Sequence, residues 1–321
     1  MLDPKDGDVR DPGPIASSTA NAGLLGRVIA RAPVFVRIPL DAFQRFLAAD
    51  GWAIASYIAL AILTSLFPFL ILVNAMAGAI GSRDIGDEAG QLLLGAWPRE
   101  VAAPIAGDVR QVQMEAQGSA VTLSALFAVY FASNGIESLR IGLNRAYDVL
   151  ETRSWWLLRL ESIVYVLVSA IALLVVAVFV VLGPLLVATA VRYAHWLEPL
   201  DRLGTFARLA VAAGILVVAL VLLHMWLPAG RRRIRQVLPG VAVTIALWLV
   251  GGNSFGLYLA QYANRYVTTY AGLASAMIAL VFLYLSAAIF IYGGELNAAI
   301  MRARRERAVA KAAPKVRTGT Q

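Results

Sequence analysis

The chain has 321 residues, of which 60% are hydrophobic and only 15% charged, and its mean hydropathy is +0.71. Soluble domains are usually about 45–50% apolar and about 25% charged, so the composition excludes an ordinary soluble protein and places most of the chain in a membrane. Cysteine is absent, which excludes disulfides and thiolate chemistry. The net charge of +8 would suit nucleic acid, but arginine in a membrane protein usually marks the cytoplasmic side.

The beginning of the chain divides into two segments. Residues 1–23 are polar and rich in Pro, Gly and Asp, unlike a signal peptide, and we expect a disordered tail. Residues 24–50 mix arginines with Leu, Val and Phe, a pattern typical of amphipathic helices that lie in the membrane interface. An integral membrane domain is predicted over 24–302, followed by a basic, solvated tail over 303–321.

Six segments meet or approach the roughly 20 apolar residues that a spanning helix needs. The predicted fold class is therefore all-α, a polytopic membrane protein with a bundle of six transmembrane helices. The acidic connection 82–118 carries apolar residues at mostly helical spacing and is predicted to form an outer cap of two short helices, broken near Pro98 or Pro104. The spans are approximately 52–80, 119–138, 158–190, 206–227, 237–260 and 271–298.

The distribution of basic residues predicts the orientation of this bundle. Of the 28 lysines and arginines, 21 lie before the first span, in the second-to-third and fourth-to-fifth connections, or after the last span. The other connections hold the remaining seven. Because basic residues accumulate on the cytoplasmic side, both termini are predicted to be cytoplasmic.

A polar stripe leaves the second span at its cytoplasmic end. Asn134, Glu137, Asn144 and Asp148 share one helical face, and Arg140 lies at its edge. Because an ionised group that faces lipid costs several kcal/mol, this stripe should face other helices or a water-filled cavity.

The last span ends with a similar polar sequence, GGELN, so we expect its Glu295 near Arg140 or Arg145 of the second span and near Arg302 below it. Two interpretations stay open: an ion-pair cluster that ties the helix ends together, and a cytoplasmic-side polar pocket that binds an anionic group. The members of this pocket would be Asn134, Glu137, Arg140, Asn144, Arg145, Glu295 and Asn297.

Glycine, proline and asparagine inside the spans mark candidate helix breaks, which often form substrate sites in transporters. The alternative for each is packing: a proline that only kinks its helix, or Gly252 with Gly256 as a small-residue face for close helix contact. The candidate positions are Pro68, Gly183, Pro184, Gly251, Gly252 and Asn253.

The residues needed for enzymatic chemistry do not come together in this sequence. The chain has only two histidines, His195 and His224, and the predicted topology puts them at opposite membrane faces. A nuclease needs a metal site or an acid–base pair near the phosphate, so ribonuclease activity is disfavoured. No Gly-rich phosphate loop occurs. We predict no enzyme, no metal and no cofactor, and we assign the arginine run 231–235 to topology or lipid contact rather than to nucleic acid.

The charges collect at the membrane surface, since no Asp, Glu, Lys or Arg lies near the middle of a predicted span. Ion-coupled carriers usually have such a residue. The layout favours a transporter or flippase-like protein that handles a lipid or amphiphilic anion, with anionic membrane lipids as partners. The alternative is a non-transporting membrane scaffold in envelope integrity or virulence. A homo-oligomer is left open.

Three stretches carry a family resemblance: AIASYIALAILTSLFPFLILV (53–73), SLRIGLNRAYDV (138–149) and YAGLASAMIALVFLYLSAAIFIYGGELNAAI (270–300). Together they resemble the YihY/BrkB family, once labelled ribonuclease BN, over roughly 40–302. One departure is Gly294, where the family often has alanine. The resemblance implies a six-helix protein of the bacterial inner (cytoplasmic) membrane without a settled activity. Serum resistance, transport and tRNA processing have all been attached to this family.

Overall fold

The structure is a computed structural model that describes residues 33–312, except 82, 96, 116–120, 194–197 and 271–272. The tail predicted over 1–23, residues 313–321 of the C-terminal tail and His195 lie outside the described residues. The described part is built from long helices joined by short connections. These are α1 (Val34–Ala48), α2 (Gly51–Ala79), α3 (Arg83–Gly95), α4 (Arg99–Glu115), α5 (Val121–Ala146), α6 (Trp155–Tyr193), α7 (Glu198–Trp226), α8 (Ile234–Tyr270) and α9 (Ala274–Ala312).

Four of these helices are long and apolar enough to cross a membrane: α2, α8, α9 and the 155–179 part of α6. The chain is therefore an all-α polytopic membrane protein, as predicted. Helix α5 covers the second predicted span, and the apolar part of α7, Ala213–Trp226, covers most of the fourth. The count of six crossings stays a prediction.

Helix α1 is amphipathic and packs along the middle of α9. Its Ala42 is fully buried against Leu296 and Ala299 of α9. The hydroxyl of Tyr292 donates to the Pro39 carbonyl at 3.2 Å. An apolar stripe on the other side of α1 stays exposed and consists of Val36, Leu40, Phe43 and Leu47.

The centre of the bundle is formed by α2, α5 and α9, with α8 packed on α9 and α6 on α5. Glycine allows α5 to lie close to α2. A Cβ atom at Gly135 would lie 2.6 Å from Ser65 Oγ, and one at Gly142 would lie 2.7 Å from Ile58 Cδ1. Helix α7 lies at the edge of the bundle and packs on α6 and α8.

The connection between α2 and α5 forms the two-helix cap that the sequence predicts. The break falls at Pro98, directly before α4, while Pro104 lies inside α4. The cap packs on Gly252 and Gly256 of α8, where Cβ atoms would lie 3.9 Å from Pro98 Cγ and 3.0 Å from Glu100 Oε2. Between Ile234 and Gly252, α8 rises by about 27 Å, close to the roughly 30 Å thickness of a bilayer core. The cap therefore lies near the end of the bundle opposite to the start of α8.

The helices continue through every position that the sequence marks as a possible break. Helix α2 passes Pro68, α6 passes Gly183 and Pro184, and α8 passes 251–253. Proline and glycine are tolerated inside membrane helices because neighbouring helices and side chains satisfy the freed backbone groups. Helix α9 also continues to Ala312, so residues 303–312 of the predicted tail are helical and mostly exposed.

Candidate functional site

Arg140 is buried between α5 and α6, with only 2% of the residue exposed. Its Nη2 donates to Ser162 Oγ at 2.8 Å and to the Leu158 carbonyl at 3.0 Å, and lies 3.6 Å from Glu161 Oε2. Its Nε and Nη1 atoms are buried without a hydrogen-bond partner in the described structure. The partners of Arg140 are thus supplied by α6, the helix that packs on this face of α5.

Asn134 and Glu137 share a second buried arginine, Arg159 of α6. Its Nη1 donates to Asn134 Oδ1 at 2.9 Å and to Glu137 Oε2 at 2.7 Å. The guanidinium also lies 3.7 Å from the ring centroid of Tyr130, a cation–π contact. These contacts tie α5 to α6 within one to two helical turns of the Arg140 site.

Asn144 joins the two connections that follow α5 and α7. Its Nδ2 donates to Glu151 Oε2 at 3.0 Å, and its Oδ1 accepts from the Ala229 amide at 2.7 Å. The neighbouring Arg145 points away and forms an exposed ion pair with Asp50 at 3.4 Å. We call the end of the bundle with connections 147–154 and 227–233 the arginine-rich end.

Asn297 is fully buried where α8 and α9 cross. It accepts from the Gly240 amide at 2.7 Å and donates to the Val237 carbonyl at 3.0 Å and to the Tyr147 hydroxyl at 3.2 Å. A Cβ atom at Gly240 would clash with the carbonyl of Gly293, so this crossing requires glycine.

Glu295 is buried one turn from this crossing, with Arg302 and Arg45 as its basic neighbours. Arg302 is one of its predicted neighbours, whereas the other two, Arg140 and Arg145, pair with Glu161 and Asp50 in the described part of the chain. The seven predicted site residues therefore lie at several helix contacts and do not line one pocket. This arrangement is closer to the ion-pair cluster than to the binding pocket among the two interpretations of the sequence.

Three charged residues of α6 and its preceding connection complete the network and were missing from the predicted site: Arg153, Arg159 and Glu161. Arg153 contacts Glu151 at 2.8 Å, Glu161 at 2.8 Å and the Leu227 carbonyl at 3.1 Å. The sequence signal was present, since these residues lie at the start of a long apolar helix, like the polar residues that end α5. The positive-inside rule uses Arg153 and Arg159 only to predict orientation.

A cavity of about 530 Å³ lies between α7, α8 and α9 and reaches from the cap towards the arginine-rich end. Its walls are almost entirely apolar or aromatic. Trp248 is fixed by a hydrogen bond from its Nε1 to the Ser286 carbonyl at 3.0 Å. We call this space the apolar cavity. Its lining includes Trp97, Pro98, Leu139, Leu216, Leu220, Leu223, Ile245, Trp248, Leu249, Gly251, Gly252, Asn253, Phe282, Ser286, Ile289 and Phe290.

The two ends of the apolar cavity differ. Trp97 and Pro98 of the cap lie at one end, and Trp97 packs on Phe282 with ring centroids 5.5 Å apart. Leu223 of α7 lies towards the other end, three residues before Trp226. The side is open towards the surroundings of the bundle, where Leu249 is 71% exposed. Three candidate break residues, 251–253, thus line a cavity although α8 is not broken there.

A second space, of about 650 Å³ and lined by both charged and apolar residues, lies at the arginine-rich end. We call it the arginine pocket. Gly230 shapes one wall with a φ of +86°, a conformation that favours glycine. Arg232 stacks on the ring of Tyr147, with Cζ 3.9 Å from the centroid. The pocket is lined by Glu151, Thr152, Arg153, Met225, Trp226, Pro228, Ala229, Gly230, Arg231 and Arg232.

Positive charge exceeds negative charge in the arginine pocket. Hydrogen bonds from Arg153 lower the pKa of Glu151 from its ordinary 4.5 to about 2, so this pair is fully ionised and mutually neutralised at neutral pH. Burial lowers the pKa of Arg232. Neither Arg231 nor Arg232 forms an ion pair with a carboxylate that the structure describes.

Over the described ranges, no group of three or more His, Cys, Asp or Glu residues is placed to hold a metal ion. His224 is fully buried beside Phe290, with ring centroids 4.8 Å apart, and its Nδ1 lies 2.9 Å from the Leu220 carbonyl. It is a packed core residue near the end of α7.

Four helices that are long and apolar enough to cross a membrane define an all-α integral membrane protein. Comparison of the sequence with known families gives the same class. The chain belongs to the virulence factor BrkB family, whose sequence model matches residues 42–318. No established catalytic activity accompanies this family.

Similar proteins carry names of different kinds. The putative ribonuclease-like protein YfkH of Bacillus subtilis is 25% identical over 265 residues, which cover 83% of this chain and 95% of that protein. A UPF0761 membrane protein of Chromohalobacter salexigens is 26% identical over 85% of this chain and 65% of its own length. One from Alteromonas mediterranea is 27% identical over 38% of this chain and 44% of its own. No solved structure matches.

Proposed function

We propose that the protein is a lipid transporter of the bacterial inner membrane that moves an amphiphilic anion and holds its acyl chain in the apolar cavity. Both termini are cytoplasmic in this proposal, which places the arginine-rich end at the inner leaflet. The apolar cavity between α7, α8 and α9 is the observation that carries the proposal.

The lining of the apolar cavity favours an acyl chain over a hydrophilic solute. Its polar groups are few, and the indole N–H of Trp248 already donates a hydrogen bond to the Ser286 carbonyl. A hydrophilic ion in this space would lose its hydration without gaining partners, at a cost of several kcal/mol. An acyl chain gains about 0.8 kcal/mol for each CH₂ group moved out of water, and none of this is lost when it passes between lipid and an apolar wall.

The open side of the cavity supports entry from the membrane. Leu216 and Leu249 are 44% and 71% exposed on either side of the opening, so a lipid chain can enter laterally without crossing water. The centre of the bundle, formed by α2, α5 and α9, is packed closely, as the scaffold alternative expects, so the proposal depends on the cavity beside it. The paired charges between α5 and α6 then hold these two helices together, while α7, α8 and α9 enclose the cavity.

Movement of a fluorescent lipid tests the proposal. Purified protein is reconstituted into vesicles that contain a short-chain NBD-labelled phosphatidylglycerol, and dithionite is added outside. We expect lipid from the inner leaflet to become accessible faster than in protein-free vesicles, with or without an imposed proton gradient. Equal rates in both kinds of vesicle under both conditions would reject transport and favour the scaffold.

Two glycine substitutions provide a matched pair. Gly251 lines the cavity, and a Cβ atom there meets only Ile289 Cδ1 at 3.4 Å, so Gly251→Leu should fold and fill the space. Gly214 of α7 is exposed, with nothing within 4 Å of an added Cβ. We expect Gly251→Leu to lose most of the lipid movement and Gly214→Leu to keep it. Equal activity of both variants would exclude the cavity as the path.

A further inference from the structure

The arginine pocket has the composition of an anion site. Arg153 is neutralised by Glu151 through contacts of 2.8 and 2.9 Å, which leaves the positive charge of Arg231 and Arg232. Arg232 is partly buried, and its Nη1 donates to the Ala229 carbonyl at 3.1 Å. In the described structure both guanidinium groups are without a carboxylate partner. A partly buried cation such as Arg232 is stabilised when an external anion pairs with it.

The walls of the pocket are held in place before any ligand arrives. Asn144 connects the two walls, since it bonds Glu151 on one side and the Ala229 amide on the other, at 3.0 and 2.7 Å. Arg153 adds a bond of 3.1 Å to the Leu227 carbonyl across the same gap. The stack of Arg232 on Tyr147 fixes the direction of one guanidinium. Such preorganisation reduces the cost of binding.

Tryptophan indicates the depth of the pocket in the membrane. Trp226 lines it and is 58% exposed, and Trp156, two residues after Ser154, is 75% exposed. Exposed tryptophan at the ends of membrane helices is typical of the headgroup region. Lipid phosphates lie at this depth, and guanidinium groups bind phosphate oxygens in a bidentate manner.

We propose that the arginine pocket binds the phosphate group of an amphiphile, with Arg231 and Arg232 as the binding residues and Asn144 as the positioning residue. The identification of the phosphate as part of a lipid rests on the proposed function. The two spaces are close together, since Leu223 in the apolar cavity and Trp226 in the arginine pocket are less than one turn apart on α7. Headgroup and acyl chain would then occupy neighbouring spaces of one molecule.

Binding can be measured directly because the chain contains no cysteine. A Thr152→Cys variant is labelled with an environment-sensitive fluorophore at the rim of the pocket. It is titrated in detergent with dihexanoyl phosphatidylglycerol, with dihexanoylglycerol, which lacks the phosphate, and with inorganic phosphate. We expect saturable binding of the phosphatidylglycerol and none of dihexanoylglycerol. Equal binding of both, or binding of neither lipid nor phosphate, would overturn the proposal.

The titration with inorganic phosphate distinguishes a site for a lipid headgroup from a site for free phosphate. Binding at least about tenfold weaker than that of the lipid assigns the site to a headgroup, and equal binding assigns it to a free phosphate. Either result supports a phosphate site.

Arginine variants assign the site to its residues. Arg231→Gln and Arg232→Gln should each weaken phosphatidylglycerol binding about tenfold or more, the usual loss for a charged hydrogen bond. The matched control is Arg235→Gln, an exposed arginine of the same run outside the pocket, which should bind like the parent protein. An equal loss in Arg235→Gln would show general surface charge instead of a site. Arg231 is exposed, so its variant reports on binding even where Arg232→Gln disturbs folding.

The experiments distinguish failure of the phosphate site from failure of the proposed lipid transport. Normal phosphatidylglycerol binding in a protein that moves no lipid would retain the site and reject the transporter. Lipid movement and phosphatidylglycerol binding that are both unchanged in Arg231→Gln and Arg232→Gln would retain the transporter and reject the site.

Discussion

The buried guanidinium of Arg140 depends on α6 for each of its described partners. Replacing it with glutamine leaves Glu161 without one of its two cations and leaves Ser162 with a poorer donor. Loss of one member of a buried pair typically costs about 3–5 kcal/mol. Since Glu161 is 28% exposed and keeps Arg153, we expect Arg140→Gln to lower the free energy of unfolding by about 3 kcal/mol.

Arg145→Gln is the control for this measurement, because Arg145 and Asp50 are both more than half exposed and their pair contributes little. Thermal unfolding in detergent compares the two variants. Equal unfolding temperatures would contradict the assigned role of Arg140.

Glu151 gives a second prediction at this scale, through pH. Its pKa is lowered in the folded protein to about 2 from an ordinary value of 4.5. A carboxyl group with a lowered folded pKa stabilises the protein fully above the unfolded pKa, and this stabilisation is lost as the pH falls through the folded pKa. The stability difference between the parent and Glu151→Gln should therefore be constant above about pH 4.5 and vanish towards pH 2. Thermal unfolding at several pH values measures it, and a difference that is unchanged at low pH would contradict the pairing.

Among the helices, α1 has an exposed apolar stripe that gives a prediction about its position in the membrane. Val36, Leu40, Phe43 and Leu47 are exposed, although the ring of Phe43 also lies edge-on to Tyr292 of α9, and such a stripe is expected for a helix in the headgroup region. A nitroxide on Phe43→Cys should report headgroup depth, whereas one on Val168→Cys, exposed on the middle of α6, should report the hydrocarbon core. Equal depth for the two labels would mean that α1 inserts across the membrane.

The positions of the helices followed from hydropathy, but their partners did not. Apolar segments and the break at Pro98 were predictable because each depends on local sequence. The prediction that Glu295 pairs with Arg140 or Arg145 relied on equal depth in the membrane alone. Depth does not determine which helix is the neighbour, and α6 rather than α9 packs against the polar face of α5 with Arg159 and Glu161.

The candidate site was predictable only in part for the same reason. Residues 251–253 were selected as a helix break and lie in the wall of the apolar cavity, although α8 is continuous there. The cavity itself depends on the distance between α7 and α9, a property of the assembled bundle. The contact of Pro98 with Gly252 likewise joins a cap and a span that are far apart in sequence, so the sequence does not predict it.

For the molecule as a whole, the basic residues predict that the arginine-rich end faces the cytoplasm. Single cysteines can test this in the cysteine-free chain. Gln91→Cys on the cap should react in intact cells, once the outer membrane is permeabilised, with a maleimide that does not cross the inner membrane. Thr152→Cys should react only after the inner membrane is opened. The reverse pattern would invert the topology and place the arginine pocket at the outer leaflet.

The most direct test of the account is to locate a lipid chain within the bundle. Protein in nanodiscs is irradiated with a phosphatidylglycerol that carries a diazirine near the end of one acyl chain, and labelled residues are identified by mass spectrometry. We predict labels in 245–253 of α8 and 282–290 of α9, lost in Gly251→Leu but retained in Gly214→Leu. Labels confined to the outward side of α6, around 164–175, with none in the cavity of the parent protein, would contradict the account.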